Sequence, residues 1–209
     1  KAMKDGQDKI YYITGETAEQ VAQAPQMEGF KKRGVPVLYM TDKIDPFWLQ
    51  QGFQYDGLSF QSITQGSGEL DKFDDKSEEP SDESKSDTPE ESIFSTLIEK
   101  AQQLLINDVH NVRLSKRLED SPVCFVVPDG QTDMHAENIM KIHQNYDPQS
   151  KRILELNPKH PLIKSLAERG DAVEEDAIWM LYDQARILQG ELPKDPTAFT
   201  KRLNKVMAS

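Results

Sequence analysis

The sequence predicts two folded parts in series, an α/β layer followed by an α+β domain that closes in a helical hairpin. Three observations carry the prediction. Short β-rich runs alternate with helical stretches as far as residue 63, an acidic Ser-rich segment then breaks the pattern, and residues 172 to 207 place apolar side chains three and four apart.

In the first part, Ile10 to Ile13 reads as a strand, Gly15 punctuates it, and Thr17 to Ala24 reads as a helix stopped by Pro25. A second helix, Gln26 to Arg33, ends at Gly34. Val35 to Met40 is the next strand, with Pro36 near its start, where a missing donor is tolerated. Asp42 to Gln51 predicts a helix and Leu58 to Ile63 a third strand. Strands separated by helices imply a small parallel or mixed layer.

Residues 65 to 91 are polar and acidic. Between Glu69 and Glu91 there are 11 acidic and 3 basic residues, a net −8 of the chain's −11. Such a stretch buries too little apolar surface to offset its ordering entropy, so residues 70–91 are expected to be a linker between domains 1–69 and 92–209.

The second part opens with a helix over Ile93 to Ile106, whose face is Ile93, Leu97, Ala101, Leu104 and Leu105. Val109 to Leu114 and Val123 to Val127 predict strands, the latter ending in a Pro-Asp-Gly turn at 128 to 130. Residues 132 to 144 are helical, Arg152 to Leu156 a strand, and His160 to Arg169 a helix closed by Gly170. The hairpin follows. Val173, Ala177, Ile178, Leu181, Ala185 and Leu188 mark its first helix, with Gly190 as the stop. Asp195 as N-cap and Pro196 at the first helical position start the second, whose apolar face is Phe199, Leu203, Val206 and Met207.

Charge and motif content exclude several functions. A net charge of −11 argues against nucleic acid as a partner, because phosphate neutralisation needs clustered Lys and Arg. No apolar run is long enough to span a membrane, and no signal peptide is visible. The single cysteine, Cys124, lies in an apolar strand and allows no intramolecular disulfide, which points to a reducing compartment. His110, His135, His143 and His160 lack ligand spacing, so no metal is expected, and no catalytic residues or cofactor-binding motif are found. One rival reading is a small-molecule or anion-binding α/β module, using backbone donors at the Thr14-Gly-Glu-Thr17 turn.

Two segments suit interaction. The first hairpin helix is apolar nearly all round, including Trp179, Met180, Tyr182 and Ile187, and two such hairpins are able to close a twofold four-helix bundle. The helix near residue 134 carries Met134, Ile139, Met140 and Ile142 among polar residues. It is either a helix packed on its own sheet or an adaptable Met-rich surface for varied apolar partners.

Several phrases, in order, resemble one family. Asp8-Lys-Ile-Tyr-Tyr-Ile-Thr-Gly-Glu16 and Val37-Leu-Tyr-Met-Thr-Asp42 with Ile44-Asp45 are similar to the late middle domain of the 90-kDa heat-shock protein chaperones. Ser115-Lys-Arg-Leu118, Asp120-Ser-Pro-Val-Cys124, Glu137-Asn-Ile-Met-Lys141 and Leu154-Glu-Leu-Asn-Pro-Lys-His-Pro-Leu162 resemble that family's C-terminal domain. The likeness covers nearly the whole chain apart from the linker.

The resemblance implies a small αβα part of the middle domain, then an α+β dimerisation domain whose last helices form an intersubunit four-helix bundle. It places Ile178, Leu181, Ala185, Leu188, Phe199, Leu203 and Met207 at or near a homodimer interface. It matches residues 132 to 143 to the family's client-contacting helix, giving Met134, Ile139, Met140 and Ile142 that role, although Ala136 and Asn138 sit where relatives can carry larger apolar groups. It implies a stress-response protein-folding chaperone whose ATP and Mg site lies upstream of Lys1, so this piece is expected to bind no cofactor and to be no enzyme. The ending Asn204 to Ser209 lacks the Met-Glu-Glu-Val-Asp tail, which points to the bacterial branch, a cytoplasmic location, and no tetratricopeptide co-chaperone.

Overall fold

The computed structural model describes residues 3–49, 52–66, 70–73, 89–144 and 151–208, with the side chains of 71, 89–92 and 141–144 left out of the description. Its elements form two units that interleave along the chain. One draws on the described residues of Lys1–Glu79 and Val126–Lys151, the other on those of Pro80–Phe125 and Arg152–Ser209.

The first unit is built on a mixed four-stranded sheet. β1 (Lys9–Thr14) is central and runs parallel to both β2 (Val37–Met40) and β4 (Leu58–Ser62), while β3 (Gln54–Tyr55) is antiparallel to β4, giving the order β2-β1-β4-β3. Four consecutive buried residues, Tyr11 to Thr14, show that β1 is covered on both faces, as a central parallel strand requires. Tyr11 and Ile13 point to one face, where they join Val21, Met27, Phe30 and Ile63. That face is covered by α1 (Ala18–Ala22), a 3₁₀ turn at Pro25–Met27 and α2 (Glu28–Lys32), the two expected helices parted at Pro25, with the start of the second wound as a 3₁₀ turn. Tyr12 points to the other face, edge-on to Phe60, and Phe60 meets Trp48 of α3 (Asp45–Leu49) with ring centroids 5.6 Å apart. Helices on both faces make this unit a small αβα layer.

Two features differ from the sequence boundaries. Leu70 and Phe73, inside the expected linker, form a 3₁₀ turn and are buried in the first core, with Phe73 edge-on to Tyr11. Most of the expected linker, residues 74–88, lies outside the described residues. Residues 126–151, expected in the C-terminal domain, belong with the first unit. The backbone gives the reason: Val127 N–H donates to the Thr64 carbonyl (2.8 Å) and Gly66 N–H to the Val127 carbonyl (3.0 Å).

The second unit has a three-stranded sheet of order β5-β7-β6, from β5 (Val109–Leu114), β6 (Val123–Val126) and β7 (Arg152–Leu156). β5 and β7 are parallel, with a register irregularity between Val109 and Asn111. α4 (Pro89–Leu104) lays Leu97 and Ala101 onto this core and packs against β5 and α6 (Pro161–Glu168). His160 caps α6, its Nδ1 accepting the Leu162 N–H (3.1 Å), so this histidine has a local structural task. α7 (Glu175–Leu188) stops at Gly190, whose φ of 77° is the left-handed conformation of a helix C-terminus. α8 (Pro196–Ala208) starts as the sequence predicts: Asp195 Oδ1 accepts the N–H groups of Thr197 (2.9 Å) and Ala198 (3.0 Å).

The fold is therefore mixed, with two small sheets and eight helices among the described residues. None of these helices is long and apolar enough to cross a membrane.

Candidate interaction surfaces

The seven residues expected at a twofold interface divide into two groups. Ile178, Leu181 and Ala185 are buried inside their own unit, where α7 packs on α4 and Tyr182 sets its ring edge-on to Phe125 at 5.4 Å. Leu188, Leu203 and Met207 are exposed and Phe199 is half-buried. α7 thus uses its inward stripe for its own core, and the open surface of the hairpin lies on α8 and the end of α7.

α8 buries none of its residues, yet it carries Phe199, Leu203, Val206 and Met207 on one helical stripe. Val206 is 61% exposed and Met207 78%. Polar contacts hold α8 to α7 instead. Arg202 reaches Asp176 (3.3 Å), and Lys205 bridges Glu174 (2.6 Å) and Asp176 (3.2 Å). The Trp179 ring meets two cations, the Lys194 ammonium 4.9 Å from its centroid and the Arg202 guanidinium at 5.5 Å. The Lys205 ammonium, hydrogen-bonded to Asp176, holds that carboxyl below its ordinary range; Glu174 and then Asp176 raise Lys205 in turn. These pairs are exposed, and each is worth little by itself. Ile187 and Leu192 add to the open apolar area near the hairpin turn.

The second candidate surface is α5 (Met134–Gln144) in the first unit. Met134 is 3% exposed, and Ala136 and Glu137 are buried with it, so the first turn packs inward. Ile139 and Met140 are half-buried, and the side chain of Ile142 falls outside the described residues. The helix thus divides between the two sequence readings, packed at its start and more open along Ile139 and Met140.

The strand-to-helix turn at Thr14 to Thr17 does other work than anion binding. Thr17 caps the five-residue α1 by accepting the Gln20 N–H, Gly15 N–H donates to the Met40 carbonyl, and the Thr14 hydroxyl donates to the carboxylate of Asp133. A buried carboxylate beside the turn repels an anion.

Four carboxylates that the sequence does not mark as buried, Asp133, Glu137, Glu155 and Asp183, are so in the structure, and two of them anchor networks. Asp133 sits among the hydroxyls of Thr14, Ser62 and Thr64. Glu155, 2% exposed, accepts from Arg113 Nη2 (2.7 Å) and Ser115 Oγ (2.8 Å) and pairs with the fully buried Arg117 at 3.1 Å. The Ser115-Lys-Arg-Leu118 phrase therefore supplies the partners of a buried charge, which would be costly if left alone. The only signal for either was a single acid in an apolar or turn context. Cys124 is buried, its Sγ 4.0 Å from Glu155 Oε2.

Comparison with known proteins places these surfaces in context. The family model described as "Hsp90 protein" matches residues 1–209. The chain is 41% identical over 213 residues to the chaperone protein HtpG of Roseobacter denitrificans, which covers 99% of this chain and 34% of that protein. It is 43% identical over 210 residues to the HtpG of Paramagnetospirillum magneticum, covering 98% and 33%, and 41% identical over 212 residues to that of Rhodospirillum rubrum, again 98% and 33%. The chain spans about a third of the length of these relatives.

Proposed function

Because this chain belongs to the Hsp90 protein family, we propose that it supplies the pairing and client-facing parts of an ATP-dependent chaperone of the HtpG type. The observation that carries the reading is α8, a helix with an apolar stripe and no buried residue in its own chain. A second copy that lays its own α8 and the end of α7 on this stripe covers both at once, because a twofold axis pairs a surface with itself. The bundle so formed rests on Leu188, Phe199, Leu203 and Met207, with Ile178, Leu181 and Ala185 as the packed layer beneath them.

In this reading α5 offers Ile139 and Met140 to unfolded or partly folded clients, with Ile142 next on the helix. The reading assigns no nucleotide turnover to these residues, places the ATP and Mg chemistry elsewhere in the full-length protein, and needs no tetratricopeptide co-chaperone. Its location is cytoplasmic, in keeping with one cysteine, buried as a thiol.

Light scattering at micromolar concentration tests the pairing. The wild-type chain is expected to show the mass of a dimer. Leu203→Asp puts a charge where the stripe meets its copy, and is expected to weaken association at least about a hundredfold, roughly 2.7 kcal/mol, with helix content unchanged. A Leu203→Asp chain that stays dimeric at wild-type strength refutes the assigned face.

A further inference from the structure

The leading end of α5 is held in an unusual way. Asp133, 2% exposed, lies one residue before the helix. Its carboxylate accepts from Thr14 Oγ1, from Ser62 Oγ (2.9 Å) and from Thr64 Oγ1 (2.8 Å), and its Oδ1 also takes the His135 N–H (2.9 Å). The hydroxyls come from the ends of β1 and β4, neighbours in the sheet, and from the residue two beyond β4. Two of these donors are tied to each other as well: Thr64 N–H donates to Ser62 Oγ (3.2 Å), and the Ser62 and Thr64 hydroxyls lie 2.9 Å apart. Just upstream, Gln65 Nε2 donates to the Gln131 carbonyl (2.6 Å).

Among the described side chains of α5, Met134, Ala136 and Glu137 are buried, and Asn138, Ile139 and Met140 are half-buried. The buried part of the described helix is thus its leading end, where its direction is set. Hydrogen bonds to a buried carboxylate are strong and directional, which suits that task.

We propose that Asp133 is the positioning residue of α5: its carboxylate, gripped by the hydroxyls of Thr14, Ser62 and Thr64, aims the helix that presents Ile139 and Met140. The consequence for clients rests on the reading of α5 given above; the positioning does not.

Hydrogen exchange and methionine oxidation on the whole 209-residue chain test this. In the wild type, the buried Met134 is expected to resist hydrogen peroxide while the exposed Met3, outside the pairing face, reacts readily. Asp133→Ala is expected to speed exchange of the amides of residues 137–140 at least tenfold and to bring Met134 oxidation within a few-fold of Met3. The amides of β1 stay protected. Asp133→Asn, which keeps one acceptor oxygen, is expected to recover at least half of the lost protection. The double variant Ser62→Ala/Thr64→Val removes two donors without touching α5 and is expected to loosen the helix in the same way, which decides the matter if Asp133→Ala alone unfolds β1. Protection of Met134 in both variants overturns the proposal, and so does loss of β1 and α5 protection together in the double variant. Suppression of client aggregation is read separately. Unchanged suppression with a loosened α5 sinks the client role and leaves the positioning role standing.

Discussion

Tyr12 occupies the same neighbourhood as the carboxylate that fixes α5. Burial, and after it the negative charge of Asp133, pushes its phenol well above the ordinary value of 10.0. The folded chain therefore holds this proton where the unfolded chain has lost it. Its stabilising contribution is complete below pH 10 and falls away as pH climbs from there toward the raised folded value. Chemical unfolding between pH 9 and pH 11.5 is expected to show a loss of stability that Tyr12→Phe makes shallower; an identical slope in the variant removes Tyr12 as its source. Gly15 teaches a related lesson about single positions. The sequence marks it as a turn, but the structural demand is space, because an added Cβ would lie 2.5 Å from Val21 Cγ2. The destination of Asp133 is not legible locally, since its partners lie 69 to 119 positions away, and the Gly15 approach depends on how α1 folds back over the turn.

Among elements, periodicity located the long helices and their ends well. Asp195 with Pro196 and Gly190 stand at the termini they predict, because caps are local chemistry. Periodicity marks the apolar stripes of α7 and α8 but gives no partner for either, and the resemblance places Ile178, Leu181 and Ala185 with Leu188, Phe199, Leu203 and Met207 at or near one interface. Burial separates them. Leu181→Asp, at a 3% exposed site, is expected to destabilise the second unit by about 4 kcal/mol or more, seen as a lower urea midpoint, whereas Leu203→Asp leaves that midpoint almost unmoved at concentrations where the wild type is monomeric. The two-residue β3 was missed because so short a strand shows no alternation. For α5, changing Ile139 and Met140 to Ser is expected to reduce suppression of client aggregation several-fold with dimer mass unchanged; full suppression by that variant returns the helix to a purely packed role.

At the scale of the whole molecule, the acidic stretch read as a boundary, and the two units nevertheless exchange segments across it. Composition shifts reveal where apolar residues are scarce; they carry no information about a later segment that returns, such as the one holding Val127 and Asp133. A piece ending at Glu91 keeps β1 to β4 and loses these partners. It is expected to be less stable than the same unit in the full chain by about 1–3 kcal/mol per stranded buried polar group, measured by exchange of the β1 amides in each. Equal protection in both would show that the returning segment adds nothing to the sheet.

The interleaving also sets an order of events during synthesis. The sheet hydroxyls of Thr14, Ser62 and Thr64 leave the ribosome well ahead of Asp133, with residues 80–125 of the other unit emerging in between. At roughly 5–20 residues per second, that gap lasts on the order of several seconds. For that interval the nascent first unit stands open at one end, and the chain that will complete it has yet to be made.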